Sequence, residues 1–346
     1  MQLVQIDRPV PGRESADVVR TFCFTQNLAA QEASGDRLAS VSVERVLTRL
    51  EGSTESDALL LALVDESLTP VLAPVGDLGL PVLPASDDER DLEVAAFAYL
   101  SIPLLEERRV VEVEIVLDAA HLPLPGEELD ADAVEIRAEL MHGVEGLCRA
   151  LGRDIIQLWS DSGAPEHYSP AVTVDQYALR VATPLLRVPD AFSIRIARNY
   201  APVDGLSTLL STASADADHG HLHTEPVEWT EQRLREAAAR LTARGETQLV
   251  VLLVDGSGTA RALCEFTAHS GADPAVAELG VVAVDRGFRG RGLGHAVLAA
   301  GLANLPPEVR TIYASAAAGD TATARLLAPY TPELLTSATA WQRILP

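Results

Sequence analysis

The sequence predicts a mixed α/β fold arranged as two domains, and three observations predict it. A chain of 346 residues is long for one domain and comfortable for two. Hydrophobic residues make up 47% of it, enough for two cores. The order strand, strand, helix, strand can be read once in each half, so both halves follow one mixed-sheet plan.

In chain order, Ser15 to Gln31 reads as a helix with Val18, Val19, Phe22 and Leu28 turned inward, and Val41 to Leu50 as a second helix. Leu59 to Val64 is a short apolar run of strand length. Pro70 to Pro84 is proline-rich and reads as loop. Strands follow at Val94 to Pro103 and Val110 to Asp118. The second alternates Val111, Val113, Ile115 and Leu117 with polar positions, so one face is buried and one is wet. Ala133 to Leu151 is a helix stopped by Gly152. Asp154 to Trp159 is a strand, and Tyr177 to Val188 is extended. A boundary is expected at Val188-Pro189-Asp190, giving domains 1–189 and 190–346.

The second half opens on a strand, Phe192 to Ala197, and a helix, Glu231 to Arg244, capped by Thr230. Gln248 to Val254 and Arg261 to Thr267 form a strand pair, and Ala277 to Val284 is a third, valine-rich strand. A helix from His295 to Asn304 follows, stopped by Pro306-Pro307, and then a strand from Thr311 to Ser315.

The segment Arg289-Gly290-Arg291-Gly292-Leu293-Gly294 lies between that third strand and the helix after it. Glycines let several N–H groups point into one concavity. The helix N-terminus adds partial positive charge, and Arg286, Arg289 and Arg291 add full charges. The chemistry is that of a pyrophosphate site. Two phosphate loops are excluded. A Walker A loop needs lysine, and the chain has none. The dinucleotide fingerprint fails because His295 stands where its third glycine would follow Gly290 and Gly292.

Arg-x-x-Gly-x-Gly after a valine-rich strand resembles the acetyl-CoA loop of the GCN5-related N-acetyltransferase (GNAT) superfamily. The motif spans about residues 278–330, and the shared plan spans most of the chain, similar to tandem GNAT proteins of actinomycetes. The resemblance implies acetyl-CoA as cofactor, held by Val282, Ala283 and Val284 of a splayed strand and by Arg289, Gly290, Arg291, Gly292, Leu293, Gly294 and His295. A backbone N–H near Val282 would polarise the thioester carbonyl. Glu278, eleven residues before Arg289, has the spacing of the general base in the histone-acetyltransferase branch. After the next strand the family pattern is Asn, a helix carrying Tyr, then Leu-Gly-Phe. This chain has Asp320 in the Asn place, Leu327 in the Tyr place and Tyr330-Thr331-Pro332 after it. Tyr330, almost one helical turn later, is the candidate acid, with His295 and Tyr313 behind it.

The first half differs at the matching point. Ala119 to Asp132 has one glycine, Gly126, the acids Glu127, Glu128, Asp130 and Asp132, and no arginine. The first domain is therefore expected to be degenerate and not to bind coenzyme A. Residues 1–190 carry 34 acidic residues and 14 arginines, residues 191–346 carry 16 and 13, and the whole chain has net charge −23. That balance argues against nucleic acid and anionic membrane as partners. No apolar run is long enough to span a bilayer. Three scattered cysteines form no disulfide framework, so a cytoplasmic protein, monomer or homodimer, is expected.

Asp216, Asp218, His219 and His221 form a cluster where a loop is expected. Alternate histidines bind metal from a strand, so no metal is expected. The resemblance implies that this region lines the acceptor pocket, where the two aspartates would favour a cationic amine; the alternative is a plain loop. The activity expected is acetyl transfer to a small-molecule amine. The alternatives are an acyl-CoA-binding sensor without turnover and a protein lysine acetyltransferase.

Overall fold

The computed structural model describes residues 1–67, 73–123, 127–160, 163, 165–180, 187–243, 245–269 and 274–346. Gly126 and parts of the expected Pro70–Pro84 loop and Tyr177–Val188 extended segment lie outside the described residues, as does Arg244. The chain forms two compact units. One is Met1–Thr173 with His219–Thr224 and Ala338–Pro346; the other is Val174–Asp218 with Glu225–Ser337.

The first unit contains β1 (Gln2–Ile6), α1 (Asp17–Ser34), α2 (Val43–Glu51), β2 (Ser56–Val64), β3 (Val82–Leu83), β4 (Val94–Pro103), β5 (Val110–Leu117), α3 (Ala131–Ala150) and β6 (Ile155–Ser160). Its strands run β3-β1-β2-β4-β5-β6, parallel at β1–β3 and β5–β6 and antiparallel elsewhere. The helices form because their apolar residues recur on one side and their ends are capped. Ser42 accepts from Arg45 N at 3.2 Å at the start of α2, and Gly35, at φ 64°, ends α1. Val19 and Phe22 of α1 and Val46 and Leu50 of α2 bury on one sheet face. Ile136, Leu140 and Val144 of α3 bury on the other.

The chain passes between the units inside β7 (Ser169–Arg180). The second unit contains β8 (Ser193–Arg198), α4 (Leu206–Asp216), α5 (Glu231–Ala243), β9 (Glu246–Val254), β10 (Ala260–His269), β11 (Val276–Val284), α6 (Leu293–Ala303), β12 (Thr311–Ala317), α7 (Thr321–Leu327) and the start of β13 (Glu333–Ile344). Its order is β8-β9-β10-β11-β12, parallel only at β11–β12. Val174–Arg180 of β7 pairs antiparallel with β12, and Thr339–Ile344 of β13 pairs antiparallel with β6 in the first unit. Each sheet is thus completed by a strand from the other half of the sequence. The succession β4-β5-α3-β6 repeats as β10-β11-α6-β12, as the sequence predicts.

Leucines of α4 and Leu234 of α5 bury on one face of the second sheet, and α6 buries on the other. Helix α6 is apolar almost all round and approaches β10 through Gly301. A Cβ at Gly301 would overlap the Cys264 sulfur and lie 2.5 Å from Phe266 Cε2. Helix propensity favours alanine over glycine by about 1 kcal/mol, but overpacking costs about 1–3 kcal/mol. Gly301→Ala is therefore expected to lower the Tm of the second unit, by roughly 2–4 °C per kcal/mol for a domain of that size. A rise in Tm by differential scanning calorimetry would show that the helix shifts freely to make room.

Candidate active site of the second unit

The site is built by an interrupted pairing. Strand β11 pairs in parallel with β12 only from Val276↔Thr311 to Leu279↔Ala314. Strand β12 continues beside β7 to Ala317↔Val174. Among the described residues, Val282 to Val284 ladder only with β10. That ladder slips by one residue between Cys264↔Val282 and Phe266↔Leu279, a β-bulge on β11. Val281 and Ala283 then pack toward α4 and α5, while Val282 and Val284 pack toward α6. The backbone of Val282, Ala283 and Val284 therefore borders an opening between two strands that are paired at one end.

The turn after β11 begins with a short 3₁₀ segment, Arg286–Phe288, capped by the Asp285 carboxylate, which accepts from Gly287 N at 2.9 Å. Gly290 and Gly292 have φ of 74° and 77°. No atom lies within 4 Å of a Cβ built at either, so these glycines are required by backbone conformation and not by crowding. Gly292 is the N-cap of α6 and supplies no side chain to its first-turn N–H groups. Arg291 and His295 beside them are exposed, while Leu293 is buried. Arg291 lies over the Phe288 ring, 5.0 Å from its centroid. An open, uncapped helix start beneath free space is a fit for a diphosphate.

Asp216 ends α4 and reaches this turn. Arg286 donates to it from Nε at 3.1 Å and from a second nitrogen, and Arg289 donates to it as well. Arg289 also donates from Nε to the Val284 carbonyl at 3.1 Å. The guanidiniums of Arg286 and Arg289 hold the Asp216 carboxyl well below the usual carboxylate range. Asp216 thus sits with the arginines of the turn after β11 and orders them. Asp218 follows α4 at the edge of the second unit. His219 and His221 belong to the first unit, where His221 N donates to the Ala171 carbonyl at 2.9 Å. The four residues read as acceptor lining are therefore divided among three surroundings.

Glu278 is half-buried on β11, opposite Thr267 of β10 and Tyr313 of β12. Tyr330 closes a 3₁₀ turn after α7 and packs, half-buried, on the α6 side of the sheet. Burial raises its phenol, with Cys264 adding to the effect, so it is neutral and able to donate near pH 7. Leu327, in the position where the family pattern has Tyr, is 1% exposed and belongs to the core.

Sequence reasoning missed Glu265. It lies on β10 at the bulge, 9% exposed, and accepts from the Tyr200 hydroxyl at 3.1 Å. Burial pushes it up to about 7, against the opposing effect of the Tyr200 hydrogen bond. The available signal was an acid inside the apolar run Leu263-Cys264-Glu265-Phe266.

Residues 215–327 match the family model for the acetyltransferase (GNAT) family. This segment is thereby identified as a GNAT acetyltransferase segment. The family it matches is one of acetyltransferases. The match begins at the end of α4 and stops with α7, so it covers the opened strand and the glycine-arginine turn. No curated protein matches the sequence. The fold as a whole is similar to that of a tandem GNAT protein from the clavulanic acid biosynthesis pathway, with TM-score 0.69 at 16% identity over 99% of this chain and 98% of that one. It is also similar to a GCN5-related N-acetyltransferase from Sphaerobacter thermophilus, with TM-score 0.59 at 17% identity over 99% and 95%. At these identities the likeness shows the fold alone, and it is a tandem GNAT fold over the whole chain. No helix among the described residues is long and apolar enough to cross a membrane.

Proposed function

We propose that the second unit is an acetyl-CoA-dependent N-acetyltransferase for a small-molecule amine. The observation that supports this most is the coincidence of two features on one strand. Strand β11 leaves β12 after Leu279 and ends in an uncapped, glycine-built helix start at Gly292. Acetyl-CoA, when bound, supplies the acetyl thioester. Arg291, the N–H groups that open α6 and the backbone from Val282 to Val284 would hold it.

An alkyl ammonium has a pKa near 10, so only about one molecule in a thousand is neutral at pH 7. Glu278, on the strand that bears the opening, is the group placed to take its proton. Tyr330 is the donor on the opposite face. A net charge of −23 is compatible with a cationic acceptor.

The first unit is proposed to lack a coenzyme A site. Its corresponding helix, α3, is capped by Asp130, which accepts from Ala133 N at 2.7 Å and puts a carboxylate where a phosphate would lie. Its ladder β4–β5 runs from Ser101↔Glu112 to Ala96↔Leu117 without a bulge. Titration calorimetry with acetyl-CoA is expected to show one site per chain, and two sites would remove the distinction between the units. Incubation with acetyl-CoA and a library of primary amines, read by mass spectrometry, is expected to show a gain of one acetyl group. Binding without acetylation of any amine would favour a sensor.

A further inference from the structure

One face of the second unit's sheet carries a polar island. Leu249, Phe266, Ala277 and Ile312 all pack toward α6. Strand alternation therefore turns Gln248, Thr267, Glu278 and Tyr313 to the other face, in one row across β9, β10, β11 and β12. Glu265 is on that face too, two residues along β10 from Thr267. Its Oε2 is enclosed and has no hydrogen-bond partner among the described residues. Gln248, 2% exposed, is similar: its Oε1 accepts from Thr267 Oγ1 at 2.7 Å, and its Nε2 has no partner among the described residues. Enclosed polar atoms of this kind are costly and few in folded proteins.

A second feature aims at the same carboxyl. Asn199 and Tyr200 are both left-handed, at φ 46° and 54°, which for a bulky residue such as Tyr is an outlier. The turn is pinned to Gln248: Asn199 N donates to its carbonyl at 2.8 Å, and Gln248 N donates to Asn199 Oδ1 at 2.9 Å. This strained turn delivers the Tyr200 hydroxyl to Glu265 and sets the Tyr200 ring 5.9 Å from that of Trp229. On the β11 side the carboxyl lies against exposed Gly280, where a Cβ would be 3.4 Å from Glu265 Oε1. Gly280 is the first residue past the end of the β11–β12 pairing.

We propose that Glu265 is a second proton-accepting group of the acceptor site, set by Tyr200, and that the acceptor is a primary amine entering over Gly280 beside the Tyr200–Trp229 wall. The proposal rests on the reading of this unit as an N-acetyltransferase. The ammonium R–NH₃⁺ passes one proton to the Glu265 carboxylate, leaving neutral R–NH₂ and a neutral carboxylic acid, which returns the proton to water after turnover. The groups around it are Tyr200 from the turn after β8, Gln248 from β9, Glu278 from β11 and Tyr313 from β12. Cys264 faces the other side of β10, and Arg233 of α5 lies over the Trp229 ring, 5.3 Å from its centroid.

The test is carbon-13 NMR of the full chain labelled at the glutamate carboxyl carbons, titrated from pH 4 to 9. One carboxyl is expected to titrate near neutrality, to vanish in Glu265→Gln and to persist in Glu278→Gln. In Tyr200→Phe it is expected to move to higher pH, because the lost hydrogen bond favoured the charged form. A Glu265 carboxyl titrating below pH 6 would overturn the proposal. With the amine found by the mass-spectrometric screen, Glu265→Gln is expected to remove the neutral limb of the kcat/KM profile and to lower kcat/KM at least about 10-fold above it. An unchanged profile would also overturn it. If no amine is acetylated, the transferase reading fails, while the NMR titration still decides whether Glu265 is an acid–base group.

Discussion

Glu278→Gln is expected to lower kcat by about 10²–10⁴-fold, the usual range for a positioned base, with acetyl-CoA affinity unchanged within twofold. Steady-state kinetics and calorimetry on the same preparation check both parts. The change keeps size and hydrogen-bonding capacity on a half-buried strand residue, so it should leave the fold intact. What it removes is the carboxylate proposed to accept the amine's proton, on the strand that borders the opening. Because R–NH₂ becomes more abundant as pH rises, the variant should recover part of the loss at high pH. That recovery would separate a base from a residue that only shapes the acceptor pocket. A kcat within threefold of the parent at pH 7 would make Glu278 an ordinary strand-face residue.

The raised Glu265 carboxyl has a consequence for stability that needs no substrate. It titrates at about 7 in the folded chain, against an ordinary value of 4.5. Between those values the folded state binds the proton that the unfolded state has released, so stability is retained below pH 4.5 and lost as pH rises through 7. The size is on the order of 3 kcal/mol. Glu265→Gln lacks the buried charge, so its Tm relative to the parent should rise between pH 5 and pH 8. Parallel curves across that range would place Glu265 in a wetter setting.

What could be read from the sequence was what local composition dictates. Strands β4, β5, β9, β10 and β11 are long apolar or alternating runs, and each lies within two or three residues of its expected span. The glycine-arginine turn could be read because φ above zero and anion binding both leave residue signatures. Strand β13 could not: Glu-Leu-Leu-Thr-Ser-Ala-Thr-Ala-Trp-Gln-Arg-Ile has small and polar residues throughout, and its place depends on pairing with β6, far away in sequence. For the same reason the passage between units falls inside β7, upstream of the proline at which composition suggested a break. Asp216 looked like acceptor lining because nothing local shows that α4 ends beside Arg286 and Arg289. Glu265 was hidden because its chemistry comes from burial and from Tyr200, 65 residues away.

The glycine-arginine turn before α6 makes the sharpest prediction. Gly292→Glu is expected to weaken acetyl-CoA binding by at least about 100-fold in calorimetry, and Gly292→Ala by much less. Two effects have to be told apart. Any L-residue at φ 77° is strained, at about 1–2 kcal/mol, and both variants share that strain. It acts mainly on folding, so it should lower the Tm of both by similar amounts. Only the glutamate places a carboxylate over the first-turn N–H groups of α6. Two unit charges about 4 Å apart repel by roughly 1 kcal/mol in water and roughly 4 kcal/mol near a protein surface, and a diphosphate brings more than one charge. The side chain would also occupy space that is empty around Gly292. The first unit supports the same logic, because at the start of α3 Asp130 already supplies a carboxylate to the helix N–H groups. Gly292→Glu would give α6 the electrostatics of α3. If Gly292→Glu binds acetyl-CoA as the parent does, the diphosphate does not sit at this turn. If Gly292→Ala loses as much as Gly292→Glu, backbone conformation and not charge governs the site.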